Sequence, residues 1–303
     1  MTTIRLSAND YAFFWSFPEM VADESGMFAR QGLEIQWLDV TPKDVVDKSG
    51  MYWDLMEAGR LDVYHAAEWV CISRVSGGGR GRIVAKSPVG ESTLNSTFVI
   101  YADRKSGLRE PQDLAGVRIA VEKGTGSYYS TVQDLEWLIP RAEINLKQVG
   151  GPHLRLLALH RGEVEAASLM GPYVDLAEEL GLVKVLESRR RNPTLIVANK
   201  DLQKEVLRSF LEAVNRAIMS INEDPARHMS SYFRRFERVL DRLPHPVGEQ
   251  GMKLRDTIHV PRWLEWQPYT QDEFRDTYEW MLKRSMIDKE GSYEVMVDTK
   301  AFD

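Results

Sequence analysis

His65 and Glu68 are the two side chains of this sequence best suited to acid-base chemistry. They lie within His65-Ala66-Ala67-Glu68-Trp69, so they would share one face of a helix that began at His65. An imidazole and a carboxylate on one face could bind an amine or a heterocycle, or donate and accept a proton. The alternative interpretation is structural: His65 caps a strand end, and Glu68 interacts with the N-terminus of its own helix.

A second motif, Gly124-Thr125-Gly126-Ser127, is suited to binding an anion. It follows a predicted strand over 117–121 and opens a helix, where free amides and hydroxyls favour negative charge. Thr125 or Ser127 could equally be an ordinary N-cap, and the two roles are compatible. Tyr128 follows directly and is a candidate to flank the ligand.

The exit of the first predicted strand, 4–6, carries Asn9, Asp10 and Tyr11. Tyr11 and one of the aromatic residues that follow, Phe14, could stack on a planar ligand, because binding pockets combine aromatic walls with a few polar groups. Most of the apolar residues in 13–17 are expected in the core.

The segment 162–181 is expected to bring a loop to the same cleft from the second half of the chain. A small-residue turn leads into a buried strand over 166–169, and the Gly171-Pro172 break then starts a helix. Met170 and Tyr173 should therefore face the ligand. Ser96, at the start of a strand over 96–102, completes the predicted ligand contacts.

The order of elements predicts an α/β protein. Strands over 4–6, 33–38 and 61–64 alternate with helical segments, which favours a parallel sheet with right-handed crossovers. The strands over 96–102 and 194–198 are predicted to cross between two halves of the molecule. A long amphipathic helix is expected over 204–222.

In this order of elements the chain resembles the type II periplasmic binding proteins, specifically their nitrate/sulfonate/taurine and thiamine-pyrimidine-precursor group. The resemblance covers nearly the whole length, and its motifs lie at 24–33, 113–120, 124–127, 162–181 and 193–200. It implies two lobes, each a mostly parallel sheet flanked by helices and joined by two crossing strands. Lobe 1 would comprise 1–97 and 196–303, and lobe 2 would comprise 98–195.

The resemblance implies that the two lobes close on a small polar organic molecule, planar or anionic, by a hinge motion. Relatives often have an acidic residue before the loop proline, where this chain has Gly171, so the ligand preference does not carry over. An ABC permease would be the partner if the protein is exported. A cytosolic sensor module is a third hypothesis.

The alternative is a cytosolic enzyme on the same scaffold, a cofactor-free lyase or decarboxylase that uses His65 as acid or base, with Glu68 or Asp10 assisting. Enzymes of this fold that cleave sulfinates or make pyrimidines depend on cysteines in other places. Here the single cysteine, Cys71, lies in an apolar stretch and is expected to be buried and structural.

Composition narrows the function classes. The chain has 303 residues, 43% of them hydrophobic, and a net charge of −6 with the two signs interspersed, so nucleic acid is not an expected partner. No metal site, cofactor motif or membrane span is predicted, and no oligomeric state follows from the sequence. With Met1 as the natural start and no signal peptide, a cytoplasmic location is expected; a trimmed export signal would make it periplasmic or extracellular.

Overall fold

The computed structural model describes residues 1–41, 48–88, 97–188, 192–287 and 291–303. Ser96, one of the predicted ligand contacts, lies outside the described residues. The strands are β1 (Thr2–Ala8), β2 (Leu33–Asp39), β3 (Val63–Ala67), β4 (Gly81–Ser87), β5 (Val99–Ala102), β6 (Arg118–Val121), β7 (Asn145–Gln148), β8 (Ala166–Leu169), β9 (Val183–Glu187) and β10 (Thr194–Asn199).

The helices pack on the faces of the sheets. They are α1 (Phe17–Glu24), α2 (Met27–Arg30), α3 (Lys48–Glu57), α4 (Glu68–Val75), α5 (Gly126–Leu135), α6 (Pro152–His160), α7 (Pro172–Glu179), α8 (Lys204–Glu223), α9 (Pro225–Leu240), α10 (Val247–Met252), α11 (Gln271–Leu282) and α12 (Tyr293–Met296). Helices α1, α6, α7 and α9 each have proline in the first turn, where its missing amide costs no hydrogen bond.

Two five-stranded sheets form the framework, in the orders β2-β1-β3-β10-β4 and β7-β6-β8-β5-β9. Within the first sheet β1 is parallel to β2 and β3, whereas β10 is antiparallel to both of its neighbours. In the second sheet β5 has the same role between β8 and β9. Each sheet is therefore mixed, with one antiparallel strand among four that run in the same direction.

The two-lobed α/β architecture predicted from the sequence is present. The strands predicted to cross between the lobes each lie within one sheet: among the described residues, β5 pairs with β8 and β9 of the second sheet, and β10 pairs with β3 and β4 of the first. The chain therefore passes between the sheets before β5 and again before β10.

The direction of the strands explains why the loops that follow them lie together between the lobes. The buried strands β8 and β10 run through the middle of the sheets, with all of their residues buried. Parallel strands end at the same sheet edge, so the loops after β1, β3, β6 and β8 meet between the lobes.

Candidate functional site

A cavity of about 120 Å³ lies between the two sheets. One buried water needs roughly 10–15 Å³, so this space can hold a ligand of several heavy atoms. Both lobes contribute walls, and the lining residues on which the site's chemistry depends are Asn9, Phe14, Trp15, Tyr52, His65, Arg74, Phe98, Glu122, Thr125, Gly126, Ser127, Arg155 and Met170.

The loop after β1 supplies the aromatic wall. Asn9 caps a short 3-10 helix, and its side-chain Oδ1 accepts a hydrogen bond from the Tyr11 amide at 3.0 Å. This turn directs Phe14 and Trp15 to the cavity. Their rings give an organic ligand an apolar surface on the side of the first sheet.

The N-terminus of α5 forms the opposite wall. The Thr125 hydroxyl donates to the Glu122 carbonyl at 2.8 Å, and the Ser127 hydroxyl accepts from the Glu122 amide at 3.0 Å. Both hydroxyls therefore hold the turn. Gly126 and Ser127, whose amides begin α5 and have no intrahelical acceptor, both line the cavity, where a helix N-terminus favours an anion.

Gly126 allows this helix to approach the other lobe. A Cβ at this position would lie 2.5 Å from the Phe98 ring and 3.1 Å from the Ala67 Cβ. A side chain at Gly126 would therefore move the helix N-terminus away from β3.

Two buried arginines were not predicted from the sequence. Arg155 on α6 is almost fully buried, and its guanidinium donates to the carbonyls of Ser168 at 2.6 Å and Gly150 at 2.7 Å. The guanidinium also lies 3.9 Å from a Glu122 carboxylate oxygen. Burial lowers the pKa of Arg155 to about 10, so it remains charged at neutral pH.

Arg74 on α4 is the second buried arginine that lines the cavity. Its guanidinium lies over the rings of Tyr52 and Tyr64, 4.1 and 5.2 Å from their centroids, and its buried Nε has no hydrogen-bond partner. Within the described residues the ion pairs at the cavity join His65 to Glu19 and Arg155 to Glu122, so neither includes Arg74. An arginine within a mostly apolar helix is a sequence signal that could have marked both Arg74 and Arg155.

His65 and Glu68 point to different surroundings. β3 continues through Ala67 and α4 begins only at Glu68, so the helical spacing assumed for this pair does not apply. His65 lines the cavity, with its Nε2 3.7 Å from a Glu19 carboxylate oxygen. Glu19 was not singled out from the sequence.

Glu68 instead faces α11. It accepts hydrogen bonds from the Tyr269 hydroxyl at 2.5 Å, the Thr277 hydroxyl at 2.8 Å and the Asn192 side-chain amide. Burial raises the pKa of Glu68 to about 7 despite these donors. Glu68 is therefore not positioned to assist His65 in acid-base chemistry.

The remaining predicted residues lie around the cavity rather than in its lining. Asp10 forms an exposed ion pair with Arg242 at 2.8 Å. The Tyr11 ring stacks on His153 with centroids 3.5 Å apart, and the Tyr173 hydroxyl donates to the Tyr11 carbonyl at 2.9 Å, which joins the lobes. Gly124 turns the chain with φ +72°, and the half-buried Tyr128 packs edge-on against Tyr129.

Cys71 is fully buried, as expected for a structural residue. Its Sγ contacts the carbonyls of Ala66 and Leu195. Burial raises the pKa of the Cys71 thiol to about 12, so the nucleophilic thiolate is disfavoured.

The described residues form neither a metal-binding cluster nor a helix suited to crossing a membrane. No cluster of three or more His, Cys, Asp or Glu side chains is arranged to hold a metal ion. Likewise, none of the described helices has the length and apolar character that a membrane crossing requires.

Comparison with known proteins supports the architecture. No protein-family profile matches the sequence, and no curated protein is significantly similar to it. Among solved structures, the alkanesulfonate-binding protein SsuA from Xanthomonas axonopodis pv. citri bound to MOPS is 16% identical, with a TM-score of 0.71 over 98% of this chain and 96% of that chain. The periplasmic aliphatic sulphonate binding protein SsuA from Escherichia coli is 14% identical, with a TM-score of 0.72 over 100% of both chains.

An enzyme has a similar fold. The desulfurization enzyme DSZB is 14% identical, with a TM-score of 0.62 over 98% of this chain and 96% of that chain. At such low identity the likeness concerns the fold alone. The chain therefore has the two-lobed fold of the type II periplasmic binding proteins, the architecture expected from its sequence.

Proposed function

We propose that this protein captures a small organic anion between its two lobes. The observation that carries the proposal is Arg74: a buried guanidinium that lines the cavity without a carboxylate partner among the described residues. A buried charge is costly unless it is paired and hydrogen-bonded. An anionic ligand would complete this site.

The surrounding groups support the same ligand class. Arg155 adds hydrogen-bond donors, but its charge is paired with the Glu122 carboxylate 3.9 Å away, so Arg74 supplies the unpaired positive charge. The N-terminus of α5 adds partial positive charge on the opposite wall. Phe14, Trp15, Tyr52 and Phe98 would contact the apolar part of the ligand.

Sulfonates are the first anions to test, because the named ligand class of both SsuA structures is a sulfonate. The boundaries proposed for the lobes are 1–97 with 196–303 and 98–195. Their closure about the two connections would enclose the ligand. In a transport setting, an ABC permease would receive the closed complex.

A thermal-shift screen tests this proposal. Matched sets of alkanesulfonates, carboxylates, alcohols and alkylammonium ions of equal chain length separate the effect of charge from that of the apolar tail. A bound ligand at about a hundredfold excess over its Kd stabilises the folded state by about 3 kcal/mol, so the anions should raise Tm with a saturable dose response. Equal shifts with alcohols, or no shift with any anion, would refute the proposal.

A further inference from the structure

Glu68 joins the start of α4 to the chain segment that connects the two lobes. That segment runs from β9 in the second sheet to β10 in the first, and its last two residues are Asn192 and Pro193. The Glu68 amide donates to the Pro193 carbonyl at 3.0 Å, and the Asn192 side-chain amide donates to the Glu68 carboxylate. Both the backbone and the side chain of Glu68 therefore hold this connection.

The Glu68 carboxylate is surrounded by hydrogen-bond donors. Its Oε1 accepts from the Tyr269 hydroxyl at 2.5 Å, and its Oε2 accepts from the Thr277 hydroxyl at 2.8 Å and from Asn192. Protonation removes the charge that strengthens these bonds and turns one carboxylate oxygen into a donor. A hydroxyl can then rotate and accept, but the Asn192 amide nitrogen can only donate. The Asn192 bond therefore depends most on the ionised form.

The other titratable groups that face Glu68 keep one charge state near neutral pH. Burial raises the pKa of the Tyr269 hydroxyl well above its ordinary value and that of the Cys71 thiol to about 12, so both stay protonated. The pKa of Glu273 lies below its ordinary value despite burial, because Lys86 donates to its carboxylate. Burial raises the pKa of Glu68 to about 7, so Glu68 is the group of this cluster that changes charge there.

Helix α4 links this cluster to the anion site. Arg74 lies in the last turn of the helix that Glu68 begins, about 9 Å further along the axis. Between them, the Trp69 ring stacks on Tyr129 of α5 in the other lobe, with ring centroids 6.2 Å apart. The position of α4 relative to the second lobe therefore determines whether Arg74 and the N-terminus of α5 face the same ligand.

We propose that Glu68 is a positioning residue for the anion site: its ionised carboxylate fixes the Asn192 connection against α4 and favours the lobe arrangement that binds the anion. The inference rests on the proposed function, because it requires that Arg74 bind the anion. The Asn192 bond favours ionised Glu68, so affinity should fall as the pH drops through about 7. A direct charge effect has the opposite sign, because loss of a negative charge would strengthen anion binding.

Titration calorimetry with propane-1-sulfonate at about pH 5.5 and about pH 8.5, on either side of the Glu68 pKa, tests the proposal. The wild type should bind about fivefold more tightly at the higher pH, the difference between a charge-assisted and a neutral hydrogen bond. Glu68→Gln cannot ionise and should lose this difference, whereas a dependence that came from His65 would persist in it. Glu143→Gln, which changes an exposed carboxylate of the second lobe, is the control and should behave as the wild type does.

Asn192→Ala tests the route through the connection. It removes the donor without changing a charge, so it should abolish the pH difference and weaken binding about fivefold at the higher pH. Glu68→Gln added to Asn192→Ala should have no further effect on affinity, because both changes break the same bond. Fully additive losses in the double variant would overturn the proposal, and circular dichroism checks that each variant is folded.

Proton release gives an independent readout. Calorimetry at about pH 7 in buffers of different ionisation enthalpy should show that the wild type releases about 0.4 proton more per bound sulfonate than Glu68→Gln, the value that a fivefold affinity change requires. Equal release, or a pH difference that persists in Glu68→Gln, would overturn the positioning role and leave anion binding intact. Failure of the wild type to bind any anion would overturn the proposed function as well.

Discussion

Gly171 shows how one residue can set the shape of the site. It lies at φ +56° and ψ −142°, a conformation that residues with side chains rarely adopt. A Cβ there would also come within 2.8 Å of the Phe14 ring in the other lobe. An acidic residue before the loop proline, which the family resemblance would suggest, is therefore incompatible with this packing. The charged side chains that line the cavity are therefore Arg74 and the pair of Arg155 with Glu122.

Replacement of Gly171 by alanine should destabilise the protein. Backbone strain alone costs about 1–3 kcal/mol, and the contact with Phe14 adds to it. Gly162→Ala is the matched control, because Gly162 also has positive φ, at +70°, but nothing lies within 4 Å of its added Cβ. Urea unfolding should show a clearly larger loss for Gly171→Ala; equal losses would contradict the packing argument.

At the scale of elements, Glu68 joins the start of α4 to α11. The Tyr269 hydroxyl lies just before α11 and the Thr277 hydroxyl within it, and both donate to the Glu68 carboxylate. Because burial raises the pKa of Glu68 from 4.5 to about 7, the folded state binds a proton more tightly than the unfolded chain. The resulting stabilisation is complete below pH 4.5 and is lost as the pH rises through about 7.

Glu68→Gln should remove this pH dependence. The unfolding free energy of the wild type minus that of Glu68→Gln should fall by about 3 kcal/mol between about pH 4 and pH 8. Denaturant unfolding at several pH values measures this difference. A difference that stays constant with pH would show that Glu68 has an ordinary pKa in the folded protein.

Elements with strong local patterns were predictable from the sequence. The strand predicted over 166–169 coincides with β8, and the helix predicted over 204–222 is α8. The boundary between β3 and α4 was not predictable from the sequence, because an apolar stretch is compatible with both a strand and a helix. Because β3 extends to Ala67, His65 and Glu68 do not share a helix face. The burial of Glu19, Arg74 and Arg155 depends on residues distant in sequence, so its only local sign is a charged residue in an apolar segment.

At the scale of the whole molecule, the lobes meet through specific contacts on both sides of the cavity. The Tyr173 hydroxyl donates to the Tyr11 carbonyl on one side. On another, Arg284 and the Trp280 indole both donate to Glu136 at the end of α5. These contacts join the two lobes that line the cavity. The two-lobed fold could be predicted from the order of elements, whereas the charges in the cleft required the structure.

Titration of propane-1-sulfonate into Arg74→Met protein tests the central claim most directly. Loss of one member of a buried charge pair costs at least about 2 kcal/mol, so we predict affinity at least about thirtyfold weaker than in the wild type. Methionine preserves apolar packing against Tyr52, and circular dichroism checks the fold. Arg60→Met, which removes an exposed arginine, should bind as the wild type does. Wild-type affinity in folded Arg74→Met would contradict the account.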